Sequence, residues 1–136
     1  MDTDVVVAAL RSPTGASAAI IALADEGKVT LLLSVPLVLE YEATCSLAEH
    51  RLAAGVSKRD VDEFLDDLMV LAEQVEAYFL WRPRLRDPGD EMVLEAAVNG
   101  RADAIVSFNH RDFAAVPQEF GIALLRPADV MRRMRS

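Results

Sequence analysis

Val29-Thr30-Leu31-Leu32-Leu33 is an uncharged, largely apolar run with a helix start directly behind it, and that pairing constrains the fold more than any other feature. A strand without charged positions is buried on both faces, the habit of parallel sheets covered by helices. Ser34 can cap the next helix, and Pro36 fits its first turn, where the missing amide has no helical partner anyway. That helix is expected to run through Glu40 to about Arg51, with Ala53-Ala54-Gly55-Val56 breaking it. Ala104 to Phe108 and Gly121 to Leu125 are further buried-strand candidates, and Val75 to Trp81 is one of mixed pattern. Between them fall helices over Ala16 to Glu26, Val61 to Glu73, Asp90 to Asn99 and Pro127 to Met134. Val5 to Leu10 fits either a strand tail or a first helical turn. Strands alternating with helices imply an α/β class with a mostly parallel sheet flanked on both faces. At 136 residues, 1–136 is expected to form one domain that buries about two-thirds of its unfolded surface.

Acids stand at the edges of these elements in four separate stretches. They are Asp2 and Asp4, Glu40 and Glu42, Asp87 and Asp90 in Arg86-Asp87-Pro88-Gly89-Asp90, and Asp103 and Asp112 around Ala104 to Phe108. Ligands of open parallel sheets bind beyond the carboxyl ends of the strands. Glu40 and Asn109 belong near that edge, and so does Asp2 if a strand precedes it. Gathered carboxylates raise one another's pKa unless a cation relieves them, and a divalent metal is the usual relief. The pattern points to a metal-dependent enzyme acting on phosphodiesters.

Composition removes other classes. A net charge of −8 argues against broad coating of nucleic acid, which needs an excess of Lys and Arg, but the acids of a metal site contribute to that total. One cysteine, Cys45, excludes an internal disulfide framework and suits a reducing, cytoplasmic setting. The opening residues lack the pattern of a signal peptide, and no apolar run reaches the roughly 18 residues that cross a bilayer. With only His50 and His110 present, a metal-free histidine acid–base pair is not expected, and no Ser-His-Asp or Cys-His arrangement is apparent.

Four short motifs, in order along nearly the whole chain, resemble the PIN-domain family, and within it the VapC-like toxin ribonucleases of bacterial toxin–antitoxin pairs. They are Asp2-Thr3-Asp4-Val5, Leu39-Glu40-Tyr41-Glu42, Asp87-Pro88-Gly89-Asp90 followed by Leu94 and Ala97, and Ala102 to Asn109 with Asp112-Phe113. The resemblance implies a three-layer α/β/α sandwich in which acids hold Mg²⁺ or Mn²⁺ and single-stranded RNA is cleaved by metal-activated water. Carried over by position, Asp2, Glu40 and Asp90 are the catalytic and metal-binding acids, with Asn109 or Asp112 supplying the fourth metal group. Asp4, Asp87, Glu91, Asp103 and Ser107 are further candidates for the site. Arg82, Arg84 and Arg86 are candidate contacts to RNA phosphates. The resemblance also implies a small antitoxin partner, no membrane, and a homodimer for which Val61, Phe64 and Leu68 offer surface by analogy. It implies an apolar strand ahead of the first Asp as well, where this sequence has Met1 alone. Without that strand the sheet would lack a central member.

Plainer readings stand beside these. Asp87 before Pro88 is a turn residue by default, and Asp90 stabilises a helix start with or without metal. Asp4 fits an N-cap as well as a metal shell. Glu42 and the acids of Asp60 to Asp67 fit solvated helix faces, and Cys45 fits a buried thiol. Asp2-Thr3-Asp4-Val5 also suits a haloacid-dehalogenase-type phosphatase, with Asp2 as nucleophile and Asp4 as general acid. That chemistry wants a lysine, and neither Lys28 nor Lys58 is placed for it. A catalytically silent PIN-like module binding RNA or protein is the third reading.

Overall fold

The computed structural model describes residues 1–76 and 84–135. Helices dominate it. α1 is Thr3–Arg11, α2 Ala16–Asp25, α3 Val35–Cys45, α4 Ala48–Ala54 and α5 Lys58–Leu71. After them come α6 Pro88–Asn99, α7 His110–Phe113, α8 Val116–Glu119 and α9 Pro127–Arg135. The strands are short: β1 Leu32–Leu33, β2 Glu73–Gln74, β3 Ala104–Val106 and β4 Ala123–Leu125. β1 pairs with β2 and β3 with β4, both parallel. The expected single sheet is thus present as two half-sheets.

The ambiguous opening is helical. Asp2 caps α1 by accepting the amide of Thr3, and Val5, Val6, Val7, Ala9 and Leu10 are buried. Three consecutive valines disfavour a helix by roughly half a kcal/mol each relative to alanine. Burying each is worth about 1.5–3 kcal/mol, so packing decides.

Ser34 caps α3 as its sequence suggests, its Oγ accepting the amide of Leu37 at 3.3 Å. The helix expected to reach Arg51 instead divides at Ser46-Leu47. The Ser46 carbonyl accepts from Arg51 Nε at 3.1 Å, which satisfies a group that the break removes from the helical ladder. Gly55 closes α4 with φ +70°, a conformation that suits glycine. β2 is displaced from the expected Val75 to Trp81: it pairs at Glu73–Gln74, and one more rung joins the Val75 amide to the Leu33 carbonyl at 2.8 Å. The rest of that expected strand lies in 77–83, outside the described residues.

One core joins these pieces. Leu37, Tyr41, Val61, Leu68, Leu94, Ile105 and Phe113 are almost wholly buried within it. Val61 and Leu68 therefore cannot form a dimer surface, since α5 packs that stripe against α3. The other side of α5 bears Asp62, Glu63, Asp66 and Asp67, all exposed as expected. α6 packs against both β1 and β3 and so ties the two half-sheets together. Among the described residues no single helix is long and apolar enough to cross a membrane.

Candidate metal centre

Beyond the carboxyl end of β3 the chain gathers carboxylates from its beginning and its final third. Ser107, fully buried, follows directly on β3, and its hydroxyl donates to Asp2 Oδ2 at 2.6 Å. The same Oγ accepts the amide of Asn109 at 2.9 Å and lies 3.5 Å from Asp4 Oδ2. Asp4 Oδ2 also accepts the amide of Phe108 at 3.1 Å. Asp4 is therefore a strap from α1 to the end of β3, and the cap of α1 is Asp2. Asp4 Oδ1 is buried and has no hydrogen-bond partner among the described residues.

Asp90 arrives from the first turn of α6. Its neighbour Asp87 is the cap, accepting the amides of Gly89 at 2.7 Å and Asp90 at 3.1 Å. The turn reading of Asp87 thus describes what its side chain does, and it also leaves Asp90 free to face the other acids. Burial and then the charges of Asp2, Asp87, Asp112 and Asp4 push Asp90 up to about 7. Asp4 rises to about 6 through burial and Asp2, although the bonds from Phe108, Val5 and Ser107 pull it down. Neither Asp2, Asp4 nor Asp90 pairs with a lysine or arginine among the described residues.

Glu40, from α3, reaches the turn that carries Asp87 and Asp90. A Cβ built on Gly89 would lie 3.1 Å from Glu40 Oε1 and 2.9 Å from Asp87 Oδ1, so a glycine there lets the two elements close up. Gly89→Ala is expected to disturb both the cap and Glu40 and to cost about 1 kcal/mol, readable in a thermal melt. An unchanged melting temperature would show that Glu40 does not press on this turn.

Other candidates stand elsewhere. Glu91, one residue beyond Asp90, is buried, and its carboxylate accepts the amides of Arg84 and Leu85 at 2.9–3.2 Å. It anchors the loop before α6 and cannot substitute for Asp90. Asp103 is exposed at the amino end of β3, the opposite edge from Ser107. Asn109 and Asp112 are exposed and hydrogen-bonded to one another, and Asp112 is near enough to raise Asp90. Arg84 pairs with Glu119 and Arg86 is exposed, while Arg82 lies outside the described residues. Glu42 points to solvent and pairs with Lys58 at 3.7 Å, and Lys28 pairs with Glu26 at 3.0 Å. Both lysines are thus engaged away from the acids, which removes the group that a phosphatase of the dehalogenase type requires.

Sequence reasoning missed the use made of Tyr41. Its hydroxyl, from the buried face of α3, donates to the carbonyl of Met1 and so holds the backbone beside Asp2. Burial and then Asp2 raise its pKa well above the usual value, so it remains a neutral donor. Cys45 is pushed up to about 11 by burial, which makes it an inert core thiol.

Among the described residues no three acids already converge on one ion-sized point. Magnesium keeps several of its waters, so one or two direct carboxylates with others reached through water are enough. A buried carboxylate oxygen without a donor, in a cluster that no lysine or arginine pairs among the described residues, fits a hard divalent ion.

In protein stripped of metal the raised pKa values dictate a pH dependence. A carboxyl that binds its proton more tightly folded than unfolded stabilises the fold while protonated. That contribution is complete below the ordinary value of 3.8 and is lost as pH climbs through about 6 and 7. The melting temperature in chelator should therefore fall between pH 5 and pH 8, and a rise over that interval would contradict the geometry.

The family model described as PIN domain matches residues 1–111. None of the curated proteins and none of the solved structures matches the chain.

Proposed function

This chain belongs to the PIN-domain family, a nuclease fold, and on that premise we propose that it is a metal-dependent endoribonuclease cleaving single-stranded RNA. The observation that carries the reading is the meeting of Asp2, Asp4 and Asp90 at one sheet edge, with Glu40 alongside and no lysine or arginine paired to the three aspartates among the described residues. Asp2, Glu40 and Asp90 would hold Mg²⁺ or Mn²⁺, with Asp4 Oδ1 and Asp112 or Asn109 reaching it through water. When bound, such an ion lowers the pKa of water and offsets charge growing on a phosphate. The chain's own residues do the rest. Ser107 and Tyr41 fix Asp2, Asp87 aims the turn that carries Asp90, and Glu91 holds the backbone of Arg84 and Leu85 beside it. Arg86, exposed next to Asp87, is a candidate for contact with the RNA backbone.

The finer fold that goes with this reading is a three-layer α/β/α sandwich, supported by the packing of α6 on β1 and β3. We further assign the protein to the toxin side of a toxin–antitoxin pair. An acidic edge that no lysine or arginine pairs among the described residues suits an antitoxin that presents an arginine, whose guanidinium forks onto carboxylates.

Incubation of a mixed single-stranded RNA pool with the protein tests the activity. Cleavage is expected with Mn²⁺ or Mg²⁺, should stop in EDTA, and should return when the ion is restored. Cleavage that continues unchanged in EDTA would rule out the metal-dependent mechanism.

A further inference from the structure

β3 ends at Val106, and the chain leaves it through Ser107, fully buried, into Phe108, which is 43% exposed. A lone exposed apolar side chain is ordinary on a protein surface. The way this one is held is not. The Phe108 amide donates to Asp4 Oδ2 at 3.1 Å, the Ser107 hydroxyl before it donates to Asp2, and the Asn109 amide after it donates to Ser107 Oγ at 2.9 Å. Ser107, Phe108 and Asn109 are thus tied to the aspartates or to one another, while Phe108 leaves its ring in solvent. Among the described residues the other exposed ring is Phe120, which precedes β4 at the opposite edge of its half-sheet.

A nucleic acid that comes to this edge needs a source of affinity other than protein cations. The chain carries a net charge of −8, and Arg84 of the loop before α6 is paired with Glu119, so attraction to phosphates is a weak source. Stacking on an aromatic face adds affinity without charge. One base stacked on one ring is worth about 5- to 150-fold in binding, and every base has the face required. A ring whose backbone is already fixed gives up little freedom when a base covers it.

We propose that Phe108 stacks on an unpaired RNA base, the one next to the phosphate brought to the aspartates. This role rests on the ribonuclease reading, which places RNA at this edge, and adds to it the contact that selects the strand. Bases inside a duplex are already stacked on their neighbours, whereas an unpaired base can turn out and lie on a side-chain ring. The substrate is thereby narrowed to RNA with an unstacked base beside the phosphate that is cut. Because the Phe108 amide is bonded to Asp4, the base contact and the acids are held in one fixed relation.

The test titrates a short single-stranded RNA, one 2-aminopurine among uridines, with protein in Ca²⁺, an ion that takes oxygen ligands. The fluorescence of 2-aminopurine falls when the base stacks. Wild type is expected to bind and to quench. Phe108→Ala and Phe108→Leu should bind about tenfold or more weakly and not quench, and Phe108→Trp should restore both. All four proteins should melt within about 3 °C of one another, because the ring is exposed. In cleavage with Mn²⁺ the alanine variant should raise KM by a similar factor and leave kcat within about threefold. Equal binding and quenching by wild type and Phe108→Ala would overturn the proposal, as would a wild type that does not bind or does not quench. Phe108→Leu binding as tightly as wild type would also overturn it, since the contact would then not be stacking. Quenching that depends on Phe108 in a protein that cleaves nothing would uphold the base contact and strike the ribonuclease reading alone.

Discussion

Asp90→Asn is expected to cut RNA cleavage about 10³-fold while making the chelator-treated protein more stable at pH 8. The first effect follows from the charge. Stabilisation of developing phosphate charge by a bound ion is worth several kcal/mol, and each 1.36 kcal/mol is a factor of ten. Asparagine keeps the shape of Asp90 but has no negative charge with which to hold the ion. The second effect has the opposite sign because Asp90 is strained by its own neighbours. Burial and the charges of Asp2, Asp87, Asp112 and Asp4 raise it to about 7, so at pH 8 the folded protein carries an unwelcome anion. A neutral amide removes that repulsion. The helix itself should survive, because its cap is Asp87. Cleavage assays and thermal melts on the same preparation separate the two effects. A variant that is less stable in chelator would mean that the carboxylate supports the fold, and one that cleaves normally would take Asp90 out of the chemistry.

Phe113→Ala should cost about 3–5 kcal/mol, the largest loss of stability expected from a single truncation at this edge. Phe113 is fully buried, yet it ends α7, a helix of one turn with almost no stability of its own. The next residue, Ala114, is held at φ +48°, a conformation unfavourable to any residue with a side chain. The ring in the core compensates for both and pins the segment that carries Asn109 and Asp112. Melting temperature is expected to fall by about 10 °C or more. Phe113→Leu, which keeps much of the apolar volume, should fall much less. A loss below about 1 kcal/mol for the alanine variant would mean that α7 is held by something else.

Local signals in the sequence were read correctly where the physics is local. Ser34 with Pro36 marked the start of α3, and Gly27 and Gly100 marked helix ends, because caps and breakers act over a few residues. Asp2, Asp90 and Ser107 stand out in the sequence as acids and a hydroxyl at element ends, and the structure brings them near one another: Ser107 donates to Asp2, whose charge helps raise Asp90. Less legible was whatever depends on distant partners. Val5 to Val7 suited a strand by propensity, and only burial makes them helical. Strand lengths were overestimated, since a strand extends as far as its neighbour does and among the described residues β1 has a pairing partner on one side only. Glu91 follows Asp90 by one residue, which on a helix turns the side chain by about 100° and sends it to the loop amides. The bond from Tyr41 to Met1 spans 40 residues and has no signature in either segment.

The central claim is that carboxylates from the start, the middle and the last third of the chain hold one divalent ion between them. Titration calorimetry with Mn²⁺ on the chelator-stripped protein tests it most directly. Saturable binding is expected for the wild type and for Glu42→Gln, whose side chain points to solvent, and loss of binding for Asp2→Asn and Asp90→Asn. Binding in Asp90→Asn as tight as in the wild type, or no binding to the wild type, would contradict the account.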